Sequence, residues 1–251
     1  GFACPPAVSP LPDLRDWQDH YPDRIRATEA RVLTALNAQL ESRRQPALTC
    51  VGELFGRVRA NVLATFPELD HYPDHERGEY WGTWSGDGGT PPAWPDGGGP
   101  RVFAYLKPFR GLHRVLDELA ARGLPSVVHV GGGFDGSRWA QTPVRVSAEP
   151  LDMAAVARDC DIAITNAGHG TTAAMLLAGV PLLQMPIQIE QYHNARATER
   201  IGAGIHVTLG DREGFSTALA RLLNEPAYRA AAAAFARRHA GHDPDEAVRR
   251  L

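Results

Sequence analysis

The chain has 251 residues, 43% of them apolar and 22% charged, a balance that excludes wholesale disorder and fits one large domain or two modest ones. Its 26 basic and 29 acidic residues leave a net charge of -3, without the basic excess of a general nucleic-acid binder. The first residues, Gly1-Phe2-Ala3-Cys4-Pro5-Pro6, carry no Met, no basic segment and no long apolar stretch, so they are no signal peptide and read as the interior of a larger protein. Residues 1–22 hold Pro5, Pro6, Pro10, Pro12 and Pro22, a loop composition. Across 24–44, Ile25, Ala27, Ala30, Val32, Leu33, Leu36 and Leu40 recur at helical spacing, and Pro46 closes the run. A further helical turn is expected at 54–59. Short strands are expected at 61–66, ended by Pro67, and at 79–84. Residues 85–100, SGDGGTPPAWPDGGGP, are almost all chain breakers. They predict a linker between a domain over 1–84 and another over 101–251.

After that stretch the pattern alternates. Strands are predicted at 101–106 (RVFAYL), 125–130 (PSVVHV), 144–146, 161–165 (DIAIT), 180–185 (VPLLQM) and 205–209. Helices are predicted at 112–122, 152–158, 170–178, 191–201, 215–224 and 227–240. Strands alternating with helices imply a parallel sheet with right-handed crossovers. Such a sheet takes ligands at the carboxyl ends of its strands, so chemistry is sought just after each one.

The most informative segment is 161–195, DIAITNAGHGTTAAMLLAGVPLLQMPIQIEQYHNA. A buried strand enters the turn Asn166-Ala167-Gly168-His169-Gly170, and Thr171-Thr172 open a helix. The glycines let backbone approach a ligand closely. The amides and helix dipole at Gly170, Thr171 and Thr172 form an anion site, and the hydroxyls cap the helix or bind a phosphate oxygen. Alone, this turn is equally the capped strand-to-helix connection of any α/β protein. Gly179-Val180-Pro181, Pro186, Glu190-Gln191 and Asn194-Ala195 then follow in fixed order.

Together these elements resemble the donor-binding motif of GT-B nucleotide-sugar glycosyltransferases, the family of the antibiotic and macrolide glycosyltransferases and the plant UDP-glycosyltransferases. That motif reads H-G-G-x-G-T, then G-V-P, P, D/E-Q and N-A. The resemblance runs from the strand RVFAYL through the last predicted helix. Less specifically, CPPAVSPLPDLR and LATFPELD resemble the later part of the acceptor-binding domain. The implied fold is α/β: a Rossmann-like parallel sheet flanked by helices, preceded by a partial acceptor domain. The family's last helix crosses back to the first domain, which assigns that path to 227–240 or the tail after it.

The resemblance also implies an activity and a site. The activity is inverting, metal-independent transfer of a sugar from a UDP or dTDP donor to a hydroxyl of a small-molecule acceptor, with no cofactor. The donor diphosphate is assigned to Asn166, Gly168, His169, Gly170, Thr171, Thr172 and Lys107. Glu190 and Gln191 are assigned to the sugar hydroxyls, since a carboxylate accepts from vicinal hydroxyls and an amide both donates and accepts. Gly131, Gly132, Pro150, Leu151 and Asn194 are further implied donor contacts. The triple glycine at 131–133 by itself matches neither GxxxxGK[ST] nor GxGxxG.

Four departures qualify this picture. Asn166 stands where the family has a diphosphate-contacting His; it can donate a hydrogen bond but carries no charge. His169 either compensates or faces solvent. Lys107-Pro108, with Arg110 nearby, replaces a small Gly-Ser or Gly-Thr pair. Lys107 is either a neutraliser of the diphosphate or a solvated surface cation. Ala174 replaces a ribose-binding Glu, which favours a dTDP donor. Ala148-Glu149-Pro150-Leu151 keeps the Pro of the base-binding stretch but lacks its aromatic and Gln, which leaves the base to backbone and apolar contacts. The largest departure concerns the catalytic base, in the family a His near the start of the acceptor domain, oriented by an Asp. No such early strand-loop-His segment is present. His20, His71 and His75 lie in Pro/Asp-rich loops and read as surface residues. The base is therefore expected in a missing N-terminal domain or on a partner chain.

The alternative reading is a non-catalytic nucleotide-sugar-binding half of a split glycosyltransferase; a third is a nucleotide-sugar epimerase of the same two-domain fold. Trp81, Trp84, Trp94 and Trp139 read as packing anchors rather than acceptor stacks, and Arg237-Arg238 and Arg249-Arg250 as a solvated helix face and tail. No apolar run approaches the roughly 20 residues of a membrane span. Cys4, Cys50 and Cys160 are widely spaced with no CxxC pair, so no disulfide framework or zinc site is expected, and the expected setting is a reducing cytoplasm.

Overall fold

The computed structural model describes residues 4–15, 21–72, 75, 78–84 and 88–249. The chain folds into two units, Gly1–Gly82 and Thr83–Leu251. The first contains α1 (Pro22–Ser42), α2 (Glu53–Gly56), β1 (Asn61–Leu63) and β2 (Gly78–Tyr80). Pro22 opens α1, where its missing N–H has no helical partner to lose. Among the described residues no α1 side chain is buried, and polar contacts anchor the helix. The Asn37 side-chain amide donates to the Leu48 carbonyl (3.0 Å) and accepts from the Leu48 N–H (2.8 Å). β1 and β2 pair in parallel, with Asn61 opposite Gly78. β1 stops three residues short of the expected strand, and Pro67, which has no N–H for a ladder, starts a 3₁₀ turn over Pro67–Leu69.

The first unit corrects one expectation. His75 is not a surface residue: its side chain is 3% exposed, and Nε2 lies 3.4 Å from the wholly buried Asp70 carboxylate. That carboxylate also accepts from the Tyr80 hydroxyl at 2.6 Å and from the Tyr72 N–H at 3.0 Å. Partners distributed along the chain draw these polar groups inward, which loop composition does not reveal. His71 is half-buried, and His20 lies outside the described residues.

The second unit follows the predicted alternation. Its elements are β3 (Val102–Leu106), α3 (Leu112–Ala121), β4 (Ser126–Val130), β5 (Val144–Ser147), α4 (Met153–Asp159), β6 (Ile162–Thr165), α5 (His169–Leu177), β7 (Leu182–Gln184), α6 (Ile189–Arg200), β8 (Gly204–His206), α7 (Arg212–Asn224), α8 (Pro226–Arg238) and α9 (Pro244–Arg249). The six strands are parallel in the order β5-β4-β3-β6-β7-β8. The chain winds outward from β3 to β5, then returns to the other side of β3 for β6. The loops leaving β3 and β6 therefore diverge, which makes this the switch point where open α/β sheets bind ligands.

Val102, Ala104, Leu106, Ile162, Ile164, Leu183 and Met185 pack one sheet face against Leu112, Leu116 and Leu119 of α3 and Phe215 and Leu219 of α7. Burial on both faces explains why these strands read as apolar runs rather than alternating ones. α8 packs on α5 within this unit. Gly179 permits both the end of α5 and this packing. Its φ of +74° closes the helix, with Gly179 N–H bonding the Leu176 carbonyl and Val180 N–H the Met175 carbonyl. A Cβ there would meet the Ala233 Cα at 3.4 Å.

The described part of the Gly/Pro-rich stretch belongs to this unit and is held to it. Thr90 N–H donates to the Pro150 carbonyl, and Asp152 N–H to the Thr90 carbonyl. The Arg101 guanidinium lies 5.4 Å from the centre of the Trp94 ring. Trp139 is buried, stacked on Phe134, and its indole N–H donates to Asp117 at 3.0 Å. Among the described residues no helix is long and apolar enough to cross a membrane.

Candidate functional site

The loops after β3 and β6 are joined at their base by Asn166. This residue is 6% exposed. Its Oδ1 accepts from the Lys107 N–H at 2.7 Å, and its Nδ2 donates to the Met185 carbonyl at 2.8 Å. One side chain thus ties together the carboxyl ends of β3, β6 and β7. The Lys107 residue itself is exposed on the lip of the crevice.

The next residue, Ala167, has φ +58°, a left-handed conformation that costs a non-glycine residue about 1–2 kcal/mol. Two hydrogen bonds hold it there. Its N–H donates to Thr165 Oγ1 at 3.0 Å, and its carbonyl accepts from Asn194 Nδ2 at 3.1 Å. Asn194 is fully buried on α6, so it acts from beneath the turn. The reversal at Ala167 makes Gly168 the N-cap of α5, whose ladder begins with Thr172 N–H to the Gly168 carbonyl at 2.9 Å. Amides ahead of Thr172, those of Gly170 and Thr171, come too early in the helix for an intrahelical acceptor. Beyond the adjacent residues and the backbone of α5 itself, no described atom lies within 4 Å of a Cβ built on Gly168 or Gly170, so the turn is open on its outer side. Helix dipole and amides together favour an anion there.

The remaining predicted residues divide into those at this edge and those turned inward. Thr172 turns inward: its hydroxyl accepts from Gln184 Nε2 at 3.0 Å, and both residues are fully buried. His169 is buried rather than solvent-facing. Glu190, half-buried, sits in the first turn of α6, after β7. The adjacent Gln191 is buried, and its Oε1 accepts from the Ile187 N–H at 2.9 Å, bracing the loop that leaves β7. Gly131 follows β4, its N–H bonded to the Leu106 carbonyl, and Gly132 is exposed beside it. Pro150 is exposed after β5, whereas Leu151 is buried. Glu190, Gly131, Gly132, Pro150 and the α5 turn thus all lie at the carboxyl edge of the sheet. Among the described residues no three His, Cys, Asp or Glu side chains gather as a metal-binding group.

Thr165, Gln184 and the Met185 carbonyl were missed as supports of the turn. A signal existed for two of them: Thr165 ends DIAIT and Gln184 interrupts VPLLQM, and a polar residue in a buried strand requires a partner.

Comparisons with known proteins bear on the family and the fold. Residues 113–251 match the family model for the erythromycin biosynthesis protein CIII-like, C-terminal domain. Elloramycin glycosyltransferase ElmGT of Streptomyces olivaceus is 35% identical over 118 residues, which cover 47% of this chain and 30% of that protein. The solved glycotransferase of kitacinnamycin superposes with a TM-score of 0.69 at 19% identity, covering 92% of this chain and 68% of the other. Spinosyn rhamnosyltransferase SpnG complexed with thymidine diphosphate has a TM-score of 0.58 at 21% identity, covering 77% of this chain and 56% of the other. At these identities the two structures show a shared fold. The chain spans less than half the length of the curated relatives it matches.

Proposed function

The chain belongs to the erythromycin biosynthesis protein CIII-like C-terminal domain family, and from that membership we propose that its second unit binds the nucleoside-diphosphate sugar in a glycosyltransferase reaction. The observation that carries this reading is the open left-handed turn at the switch point, which leaves the amides of Gly170 and Thr171 ahead of the first intrahelical bond of α5. The donor diphosphate lies against the backbone from Gly168 to Thr171, with His169 beside it. The Lys107 ammonium adds charge from the opposite lip. Glu190 accepts hydrogen bonds from the sugar hydroxyls. Gly131, Gly132 and Pro150 flank the nucleoside. Asn166, Thr172, Gln191 and Asn194 support this surface from within rather than touch the donor.

In the proposed reaction the oxygen of a small acceptor's hydroxyl attacks the anomeric carbon. The bond from that carbon to the diphosphate oxygen breaks on the opposite face, so the configuration inverts. The nucleoside diphosphate leaves with the bonding electrons, and the hydroxyl proton passes to a base supplied outside the described residues. Amides, helix dipole and Lys107 stabilise the leaving charge in the role a metal takes elsewhere, so the transfer is proposed as metal-independent and cofactor-free. Ala174 offers no carboxylate to a ribose diol, which favours dTDP over UDP, and a neighbour of the same fold carries thymidine diphosphate. The low cysteine content fits a cytoplasmic setting.

Calorimetric titration of the 251-residue chain with dTDP and UDP tests this reading. The expected result is binding that Gly170→Trp abolishes without loss of folding, because the space around a Gly170 Cβ is open. Absence of nucleotide binding, or binding that Gly170→Trp leaves intact, refutes it.

A further inference from the structure

At the carboxyl edge of the sheet the strand registers align one residue from each strand into a transverse row: Ser147, His129, Tyr105, Thr165, Gln184 and His206. The pleat puts all six on the face opposite Val102, Ala104 and Leu106. Toward β7 this row is covered. Thr165 and Gln184 are buried, and Gln184 is bonded to Thr172 of α5. Toward β5 it is open. Tyr105 is 42% exposed, although it belongs to a central strand whose other residues, Val102, Phe103, Ala104 and Leu106, are all buried.

The Tyr105 ring lies 5.4 Å from the His129 ring, tilted by 41°. His129 is fixed in turn, since its Nδ1 lies 3.2 Å from the Ser147 carbonyl. A carbonyl only accepts, so Nδ1 carries the proton and the imidazole is held in one orientation. Here Tyr105 is exposed and His129 half-buried in a sheet whose four inner strands, β4, β3, β6 and β7, are otherwise buried. Packing does not account for that exposure.

The position of the pair indicates its occupant. On one side Tyr105 is in register with Thr165, a neighbouring strand about 4.8 Å away, and the open α5 turn begins just after Thr165. On the other side the row ends at Ser147, where the exposed residues Ala148, Glu149 and Pro150 leave β5 without an aromatic of their own. A ligand with an anionic end at α5 and a flat aromatic end toward β5 would therefore pass over Tyr105. We propose that Tyr105, backed by His129, is the platform on which the donor's nucleobase stacks. The inference rests on the donor reading above and gives the base an aromatic face from β3 and β4 beside the loop after β5, which has none of its own.

The test uses the 251-residue chain and titrates dTDP, UDP and inorganic pyrophosphate into wild type, Tyr105→Leu and Tyr105→Trp. Base stacking on an aromatic side chain corresponds to a change in affinity of roughly ten- to hundredfold. Tyr105→Leu is expected to lose that factor for both nucleotides and to keep its pyrophosphate affinity and melting temperature. Tyr105→Trp, which retains an aromatic face, is expected to bind nucleotide as tightly as wild type or more so. Unchanged nucleotide affinity in Tyr105→Leu overturns the platform while the donor reading stands. An equal loss for nucleotide and pyrophosphate overturns it too, since the residue would then act on the anion site or the fold. If wild type binds pyrophosphate but neither nucleotide, the donor reading falls and the platform with it.

Discussion

The buried amides of Asn166 and Asn194 hold the turn from beneath, each bonded to backbone beside it. Asn194 is buried with the Ala167 carbonyl as its partner, and that carbonyl belongs to the strained residue that aims α5. Asn194→Ala leaves the carbonyl buried and unpaired, a loss of about 1–3 kcal/mol. Denaturant unfolding should report that loss, and nucleotide affinity should fall with it as the turn relaxes. A second residue-scale prediction concerns Cys160. Burial, reinforced by the neighbouring Asp161 charge, pushes its thiol up from 9.0 to about 12. The folded state therefore holds this proton more tightly than the unfolded chain. Stability contributed by the neutral thiol is complete below about pH 9 and declines as pH rises toward 12, at about 1.4 kcal/mol per unit. Native-state alkylation at pH 8 should accordingly spare Cys160, and denaturation should expose it.

At the scale of single elements, α4 and α7 start where a short side chain satisfies their first amides. Asp152 accepts from the Ala154 and Ala155 N–H groups at the head of α4, and Asp211 from the Gly214 N–H at the head of α7. Asp211→Ala should cost about 1 kcal/mol in urea unfolding and leave nucleotide affinity unchanged, since α7 packs the opposite sheet face. α5 has no such cap, as α3, α6 and α8 have none. Its N-cap is Gly168, with no side-chain hydrogen bond, and the next residue but one is an exposed glycine. Gly170→Ala should therefore raise stability by about 0.5 kcal/mol or more while weakening nucleotide binding, because the added methyl enters the open space before the helix. Opposite signs in the two measurements would identify an end left uncapped for a ligand. Strand lengths were less legible than helix positions. The apolar run at 61–66 reaches up to Pro67, yet the ladder stops at Leu63.

For the molecule as a whole, binding should stabilise the second unit by mass action. At nucleotide concentrations about a hundredfold above Kd the gain is about 2.7 kcal/mol. Hydrogen exchange should show the protection concentrated on the loops leaving β3 and β6. Much of this unit could be read before folding was considered. A parallel sheet buried on both faces demands apolar runs, its crossovers demand amphipathic helices, and glycine, aspartate or proline marks where most begin or end, so order and type follow from local rules. The same pattern directs attention to the carboxyl edge as the candidate site, as ligands meet such sheets where their strands end. Tertiary structure alone decided which polar residues face the edge and which support it. Asn166 and Thr172 look exposed in a glycine-rich turn, yet Met185 and Gln184, brought beside them by strand pairing, draw their side chains inward. His75 reads as a loop residue until Asp70 meets it. Tyr105 sits in an apolar run that predicts burial, and only the register of the sheet leaves it open beside His129. For Asn166 and Thr172 the partner comes from another strand, and for His75 and Tyr105 the surroundings are set by how the chain folds around them, so no periodicity of the sequence encodes either outcome.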